Sequence, residues 1–294
     1  MIKVAVFGFG NVGKMAAQAV IAAKDMELAG VVSRSYAGQT IAGVTAVASA
    51  DEIEKMDVAI LAMPTRLVPE TAEKLLEKGI YTTDSYDIHG SIIDVRARLD
   101  AAAKKGNVAA VTAAGWDPGT DSAIRALLLA MAPDGITYTN FGPGMSMGHS
   151  VAAKAIDGIK DALSMTIPTG TGIHRRMVYV ELEDGAKLDT VTAALKADDY
   201  FAHDETHVIQ VDSVDAVKDM GHGVHLTRKG VSGLTHNQLF EFNMTINNPA
   251  LTAQILVSSV RAAMRQTAGC YTLIEIPPVD FLDMTRDEAV KKLV

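Results

Sequence analysis

The feature that most constrains the fold is the motif Gly8-x-Gly10-x-x-Gly13, which lies between an apolar strand pattern and an alanine-rich helix pattern. Gly8 permits a tight turn, Gly10 lets backbone approach a pyrophosphate, and Gly13 lets the helix pack against the strand. The helix amino terminus offers unpaired N–H groups and a positive dipole end to phosphates. The motif therefore predicts a dinucleotide-binding domain; the alternative is a glycine-rich turn in another α/β domain.

The end of the second strand indicates which dinucleotide is bound. An NAD enzyme usually carries a carboxylate there for the ribose 2′-hydroxyl. This chain has Ser33, Arg34 and Ser35 instead, and a guanidinium with two hydroxyls suits a 2′-phosphate. We therefore expect NADP as the cofactor, against the alternative that Arg34 is an ordinary surface arginine.

Composition and charge exclude several classes of protein. The formal net charge of −8 argues against nucleic acid or an anionic membrane as the main partner. A single cysteine, Cys270, allows no internal disulfide, and packing is a simpler role for it than nucleophilic attack. No apolar run approaches the ~18 residues of a membrane span, and a strand pattern from Ile2 leaves no room for a signal peptide. We expect a cytoplasmic protein.

Strand and helix patterns alternate through the first 130 residues, which predicts a Rossmann-type doubly wound parallel sheet. The expected helices include 50–55, 68–78, 92–105 and 122–131. From about residue 135 the apolar period changes to 2, which predicts a second α+β domain with a mixed or antiparallel sheet and helices at 152–163 and 190–197. We expect a dinucleotide-binding domain at 1–118, joined by a return at 249–294, and a substrate-binding and dimerisation domain at 119–248.

Ligands of open α/β sheets bind beyond the carboxyl ends of the strands. Those ends predict the cofactor-binding residues Gly8, Phe9, Gly10, Asn11, Val12, Gly13, Ser33, Arg34, Ser35, Met63, Pro64, Thr65, Ser85, Tyr86, Asp87, Gly115, Trp116 and Pro118. Asp87 and Asp117 are expected to converge near the nicotinamide, where paired carboxylates suit a substrate ammonium. The local alternative is equally strong, since Asp117 before Pro118 is a good helix N-cap and Asp87 is placed to cap the next helix. A core role is the alternative for Trp116.

The second domain adds polar groups of several kinds. A glycine-rich loop runs from Phe141 to His149, and Arg175 and Arg176 have no neutralising residue nearby in sequence, so they suit a carboxylate. His222 and His225 lie on a segment expected to be flexible, but no ligand cluster accompanies them, and we expect no metal. Asn248 before Pro249 fits an N-cap as well as a substrate contact.

The chain resembles the meso-diaminopimelate D-dehydrogenases, NADP-dependent amino acid dehydrogenases of bacterial lysine synthesis, over essentially its whole length. The resemblance rests on Gly8-Phe-Gly-Asn-Val-Gly13, Ser33-Arg34, Asp84-Ser-Tyr-Asp87, Gly115-Trp-Asp-Pro-Gly119, Phe141-Gly-Pro-Gly144, Gly148-His-Ser150 and Asn248-Pro249. It implies a homodimer and a small amino acid substrate. It also implies substrate contacts from Asp87, Trp116, Asp117, Phe141, Met147, Thr166, Arg176, His222 and Asn248.

The reaction that the resemblance implies is oxidative deamination at the D-centre of meso-2,6-diaminopimelate, with Asp87 and Asp117 as catalytic residues. Two alternatives have different signatures. A dihydrodipicolinate-reductase-like enzyme would carry a doubled histidine before a lysine and a Ser-Gly-Thr loop, which this sequence lacks. A non-catalytic NADPH sensor would need an interaction module, and nothing after residue 135 resembles one.

Overall fold

The computed structural model describes residues 1–218 and 221–294. The chain forms two compact units, which consist of Met1–Ala126 with Pro249–Val294 and of Leu127–Asn248. The division at Ala126 falls within helix 120–131, whereas the boundary predicted from the sequence lies after residue 118.

The first unit contains a sheet of eight strands in the order β15-β7-β6-β5-β1-β2-β4-β3. All its strand pairs are parallel except β3 with β4. Since the order runs outward from β1 in both directions, the sheet is doubly wound, as predicted. The strands are β1 (Ile2–Phe7), β2 (Met26–Val32), β3 (Thr40–Ile41), β4 (Val44–Val47), β5 (Val58–Leu61), β6 (Tyr81–Asp84), β7 (Ala109–Val111) and β15 (Gly269–Tyr271).

Helices cover both faces of this sheet. The first unit contains α1 (Asn11–Ala22), α2 (Val68–Glu77), α3 (Ile92–Gly106), the start of α4 (Thr120–Met131), most of α7 (Asn248–Arg265), and α8 (Arg286–Leu293). Alternate residues of β1 enter opposite cores: Val4 packs in the core with α1 and α7, whereas Phe7 packs in the core with α2 and α3. This alternation follows from the period of 2 in a strand.

One expected helix of the first unit is wrong. Residues 50–55 form only the single 3₁₀ turn Ala50–Glu52, which Ser49 and Glu52 close with a capping box. Ile53 then has extended backbone and packs against Gly30 of β2, where a Cβ would lie 2.7 Å from the Ile53 Cδ1 atom. The packing of the partly buried Ile53 against Gly30 therefore overrides the helical propensity of the segment.

The described part of the second unit contains two sheets rather than one. A four-stranded mixed sheet has the order β12-β11-β10-β9, and a three-stranded antiparallel sheet has the order β14-β13-β8. The strands are β8 (Asp134–Phe141), β9 (Gly144–Met145), β10 (Ile159–Gly170), β11 (Ile173–Leu182), β12 (Glu205–Gln210), β13 (Gly221–Ser232) and β14 (Thr235–Asn247).

Helices α5 (Met147–Lys154) and α6 (Leu188–Ala197) pack on the four-stranded sheet. The expected helix 152–163 is wrong, because α5 ends at Lys154 and β10 begins at Ile159. Gly158 turns the chain there with a φ of +88°, a conformation that favours glycine. The segment from Gly221 to His225, expected to be flexible, is the start of strand β13.

No helix within residues 1–218 and 221–294 combines the length and the hydropathy that a membrane crossing requires.

Candidate active site

The glycine turn after β1 has room for a ligand at one position only. A Cβ on Gly8 would lie 2.2 Å from the Ala62 carbonyl oxygen, and one on Gly13 would lie 2.1 Å from the Gly8 carbonyl oxygen, whereas Gly10 has nothing within 4 Å. Gly10 is the N-cap of α1 and forms no side-chain cap, and the first turn of α1 has no acidic residue. The amides at the start of α1, including those of Asn11 and Val12, therefore suit a phosphate group.

Positive charge and aromatic rings lie after β2. Ser33 precedes the 3₁₀ turn Arg34–Tyr36, in which Arg34 and Ser35 are exposed. The Tyr36 ring contacts the Phe9 ring edge-on at 5.1 Å, and the Lys14 ammonium lies 5.5 Å and 5.9 Å from the two ring centres. Sequence reasoning missed Lys14, which brings a second cation to this end of the sheet.

The loops after β5 and β6 meet through one hydrogen bond. The backbone N–H of Asp87 donates to the Thr65 hydroxyl at 3.3 Å. Asp87 is exposed and caps nothing, since the following 3₁₀ turn begins at His89 with Ile88 as its N-cap. The alternative that Asp87 caps the next helix is therefore wrong. Met63 and Pro64 complete the β5 loop, and Ser85 the β6 loop.

Asp117 does not cap a helix either. Helix α4 begins three residues later, at Thr120. Gly119, with a φ of +147°, turns the chain back towards Gly115. The approach is so close that a Cβ on Gly119 would lie 1.9 Å from the Gly115 carbonyl oxygen. The Asp117 carboxylate instead accepts a hydrogen bond of 3.0 Å from the Arg125 guanidinium. The N-cap alternative for Asp117 is therefore wrong. Trp116 and Pro118, on either side of it, are buried.

Asp84, at the end of β6, ties the two aspartate-bearing loops together. Its Oδ1 atom accepts hydrogen bonds from the Tyr86 N–H at 2.9 Å, the Thr112 hydroxyl at 2.9 Å and the Ala113 N–H at 3.2 Å. Its carbonyl oxygen accepts from the Ala114 N–H at 2.8 Å. Tyr86 belongs to the loop that carries Asp87, and Ala113 and Ala114 belong to the loop that leads to Asp117. The buried residue Asp84 therefore holds both loops in position.

The buried carboxyl of Asp84 makes stability depend on pH. Burial raises the pKa of Asp84 to about 6, although its three donors oppose the rise. A raised pKa means that the folded chain binds this proton more tightly than the unfolded chain. The contribution of Asp84 to stability is therefore largest below pH ~4 and is lost as pH rises through 6. We expect the unfolding free energy of wild type, relative to Asp84→Asn, to fall by about 2–3 kcal/mol between pH 4 and 7.

Urea unfolding of wild type and Asp84→Asn across this pH range measures the difference. Asparagine keeps the Oδ1 acceptor but does not titrate. The stability of the variant therefore has no pH dependence from residue 84, and the difference between the two proteins isolates the ionisation of Asp84. Parallel stability curves for the two proteins would contradict the raised pKa.

Two carboxyl groups share one arginine beside the β7 loop. Asp121 lies in the first turn of α4 and is fully buried, and its Oδ2 atom accepts from Arg125 Nη2 at 2.5 Å. The same nitrogen donates to Asp117. Burial and the neighbouring Asp117 carboxylate raise the pKa of Asp121 to about 8, against the opposing charge of Arg125.

In the second unit, register brings two predicted substrate contacts and the glycine-rich loop into one row. Gly144 of β9 pairs with Thr166 of β10, which pairs with Arg176 of β11. The Arg176 guanidinium donates to the Thr166 hydroxyl at 2.5 Å and to the Asp204 carboxylate at 2.5 Å. Arg176 therefore has a neutralising partner after all, which comes from 28 residues away in sequence.

The Gly-Pro-Gly loop joins this row to the three-stranded sheet. The Gly142 N–H donates to the Gly223 carbonyl at 2.7 Å, and a Cβ on Gly144 would lie 2.4 Å from the His222 Cα atom. His222 is buried in β13. Only glycine at 144 lets the loop come this close, and Gly144 therefore lies against both His222 and Thr166.

Two further histidines, missed from the sequence as site residues, support this loop. The Phe141 N–H donates to His174 Nε2 at 2.8 Å, and the two rings lie 5.7 Å apart. His149 contacts the Ser146 hydroxyl through Nδ1 at 2.8 Å and packs against Tyr200. Burial and the charge of Arg176 lower the pKa of His149 to about 4, so this imidazole is neutral at physiological pH.

The remaining sequence-predicted residues lie at helix ends. Met147 is the first residue of α5, and Asn248, which is buried, is the first residue of α7. Cys270 is buried in β15, and burial raises the pKa of its thiol. Among the described residues, no group of His, Cys, Asp and Glu side chains has the geometry to hold a metal ion.

Comparison with known proteins identifies the family. The model of the diaminopimelic acid dehydrogenase C-terminal domain matches residues 115–248, and that of a CoA binding domain matches residues 1–83. The meso-diaminopimelate D-dehydrogenase of Bacteroides fragilis is 58% identical over 296 residues, covering 100% of this chain and 99% of the relative.

Two solved structures are similar over the same length. The C. glutamicum DAP dehydrogenase in complex with DAP has a TM-score of 0.90 at 28% identity, covering 100% of this chain and 99% of the other. An engineered D-amino acid dehydrogenase bound to NADP⁺ has a TM-score of 0.87 at 28% identity, with coverage of 100% and 99%. This chain belongs to the meso-diaminopimelate D-dehydrogenase family.

Proposed function

We propose that this protein catalyses the reversible NADP-dependent oxidative deamination of meso-2,6-diaminopimelate at its D-centre, a reaction of lysine biosynthesis. The products are L-2-amino-6-oxopimelate and ammonia. The observation that carries the proposal is the pair of aspartate-bearing loops after β6 and β7, held together by Asp84, in a dinucleotide-binding sheet of this family.

The first unit fits NADP. The open Cα of Gly10 and the uncapped start of α1 suit the pyrophosphate, and Arg34 with Lys14 suits the 2′-phosphate beside the adenosine. Bound NADP⁺ supplies the acceptor for a hydride. Ser33, Ser35 and the loops that contain Met63, Ser85 and Gly115 are the further proposed contacts.

Asp87 and Asp117 are proposed to hold the D-centre ammonium. In the deamination direction an N–H bond of this ammonium breaks, and its proton goes to the Asp117 carboxylate, which is more shielded from water than Asp87. The electron pair left on nitrogen then forms a C=N bond while the Cα–H bond breaks, and its hydrogen leaves as the hydride for which bound NADP⁺ would be the acceptor. Water adds to the iminium carbon and ammonia leaves.

The second unit is proposed to bind the distal L-centre. Arg176 and Thr166 bind its carboxylate, and His222 and Asn248 bind its remaining polar groups, with Phe141 and Met147 as apolar contacts. Trp116, from the first unit, is a further proposed apolar contact. Support comes from the Gly144–Thr166–Arg176 row, in which the Arg176 guanidinium donates a hydrogen bond to the Thr166 hydroxyl. Binding of the distal L-centre of the substrate determines which α-hydrogen faces the cofactor.

The test is an assay of NADPH formation with purified protein. With meso-diaminopimelate and NADP⁺ present, we expect the absorbance of NADPH to rise. The reaction is expected to release one ammonia for each NADPH formed. The LL-isomer is the control, since it has no D-centre. Absence of turnover with the meso-isomer would reject the proposal, and NADPH binding without turnover would favour a sensor.

Arg34 provides a prediction on cofactor choice. Arg34→Asp replaces a cation that suits a 2′-phosphate with a carboxylate that suits a 2′-hydroxyl, so we expect affinity for NADPH to fall ~10–100-fold and affinity for NADH to change little. Titration of each cofactor by protein fluorescence measures both constants. Equal losses for the two cofactors would remove Arg34 from the 2′-phosphate site.

Membership of this family also supports three further proposals. We propose a homodimer, a role of the second unit in dimerisation as well as in substrate binding, and a cytoplasmic location. Exposed apolar side chains of the second unit, Leu127, Ile136, Leu234 and Leu239, are compatible with a subunit contact. Sedimentation equilibrium of the purified protein measures the oligomeric state.

A further inference from the structure

Asp121 has no role in the proposed reaction. Its side chain is fully buried, and Nη2 of Arg125 lies 2.5 Å from its Oδ2 atom and 3.0 Å from Oδ1 of Asp117. A single nitrogen of one guanidinium therefore bridges two carboxyl groups. If both were ionised, one positive charge would face two negative charges at a buried position.

The surroundings of the second carboxyl oxygen of Asp121, Oδ1, indicate that this carboxyl is protonated. Asp121 Oδ1 is buried, and no N–H or O–H donor of the described residues hydrogen-bonds to it. An ionised oxygen without a donor is costly to bury, whereas a protonated one is itself a donor. The charged groups that act on Asp121 are Asp117, from the preceding loop, and Arg125, from its own helix. Arg125 and the backbone N–H of Ser122 favour the ionised form of Asp121, whereas burial and the Asp117 carboxylate favour the protonated form.

We propose that Asp121 holds a proton at neutral pH and donates it in a hydrogen bond to Asp117, so that Asp117 is the ionised member of the pair. Asp121 is thus a positioning residue that acts through Asp117, and the inference rests on the proposed function of Asp117. Two carboxylates in contact do not both ionise readily. A neutral Asp121 removes this repulsion and fixes the oxygen of Asp117 that faces Arg125.

Infrared spectroscopy detects the proton without substrate. The wild-type protein is expected to show a protonated-carboxyl band at pH 7 that disappears with a midpoint near 8, the value to which burial and Asp117 raise the pKa of Asp121. Asp121→Asn is expected to lack this band. Asp280→Asn is the matched control, because Asp280 is also buried and bound to an arginine, Arg286, and this variant is expected to keep the band. A wild-type spectrum without the band would overturn the proposal.

Kinetics test the positioning role. Asp121→Ala is expected to lower kcat about 10–100-fold by removing a hydrogen bond to a charged group, with little change in KM for the substrate. Asp121→Asn, whose amide donates to Asp117 without carrying charge, is expected to keep a clearly larger kcat than Asp121→Ala. If Asp121→Ala does not fold, Asp121→Ser takes its place. Asparagine no better than the shorter side chain would overturn the proposal.

The two proposals fail in different ways. If the wild-type protein does not oxidise meso-diaminopimelate, the proposed function fails, and the infrared titration still decides whether Asp121 carries a proton. If the wild-type protein turns over and the band is absent, only the role of Asp121 fails.

Discussion

Replacing Asp117 with asparagine is expected to lower kcat for deamination by about 10²–10⁴-fold, the usual contribution of a positioned general base. Affinity for NADP is expected to stay at the wild-type value. Asparagine has nearly the same shape and keeps an oxygen that accepts the hydrogen bond from Arg125, but it neither attracts an ammonium nor accepts a proton. Initial rates give kcat, and a fluorescence titration gives the affinity for NADP. Equal losses in both would make Asp117 a structural residue.

The pH dependence of Asp117→Asn separates its two proposed tasks. If Asp117 accepts the proton, the variant recovers activity as pH rises, because more of the substrate arrives as the neutral amine. If Asp117 only holds the ammonium, the variant does not recover. Rates of both proteins from pH 7 to 10 decide between these outcomes.

The part of the fold that could be predicted from the sequence is set by local rules. Three glycines within a span of six residues lie between a strand and a helix. Gly8 and Gly13 have no room for a Cβ, and Gly10 has open space. The apolar runs of β1 and β5 are likewise long enough to predict buried parallel strands. Both signals depend on residues close together in sequence, so one chain suffices to detect them.

The same local rules gave the wrong expectation at two places. Asp-Pro fits a helix N-cap, but the turn from Gly115 to Gly119 delays α4 until Thr120. Residues 159–163 have apolar spacing that fits a helix, but they pair with β11 from Leu182 back to Tyr179. The first outcome depends on the conformation of Gly119, and the second depends on a partner strand outside residues 159–163.

The supporting residues of the candidate site show why its outer part was missed. Asp84 and Thr112 lie 28 residues apart, as do Arg176 and Asp204. No spacing rule joins residues at that distance. Asp121 is the exception, because it lies four residues before Arg125 on a helix, and this i,i+4 spacing was available to find the pair.

Arg176 is the residue of the second unit whose loss is expected to cost most. Arg176→Met keeps much of the side-chain volume and removes the guanidinium. A hydrogen bond between charged groups contributes about 1.5–3 kcal/mol, so we expect KM for meso-diaminopimelate to rise about 10–150-fold for each bond lost. Affinity for NADP is expected to stay unchanged, since its proposed site lies in the first unit. Initial-rate kinetics at saturating NADP⁺ measure the change in KM.

Arg175→Met is the matched control. Arg175 is the preceding residue on β11, so its side chain points to the opposite face of the strand, where it pairs with Glu205 at the exposed end of β12. An exposed ion pair contributes little, and we expect kinetics close to wild type. Equal effects of the two variants would show that loss of either arginine disturbs β11 as a whole.

D-Lysine distinguishes carboxylate binding from support of the fold, because it has the D-centre of meso-diaminopimelate without the distal carboxylate. If Arg176 binds that carboxylate, Arg176→Met changes kcat/KM for D-lysine far less than for meso-diaminopimelate. If Arg176 serves mainly to join Asp204 to Thr166, both substrates lose the same factor. The ratio of the two losses is the coupling between the guanidinium and the distal carboxylate, and a ratio of one would remove Arg176 from the substrate site.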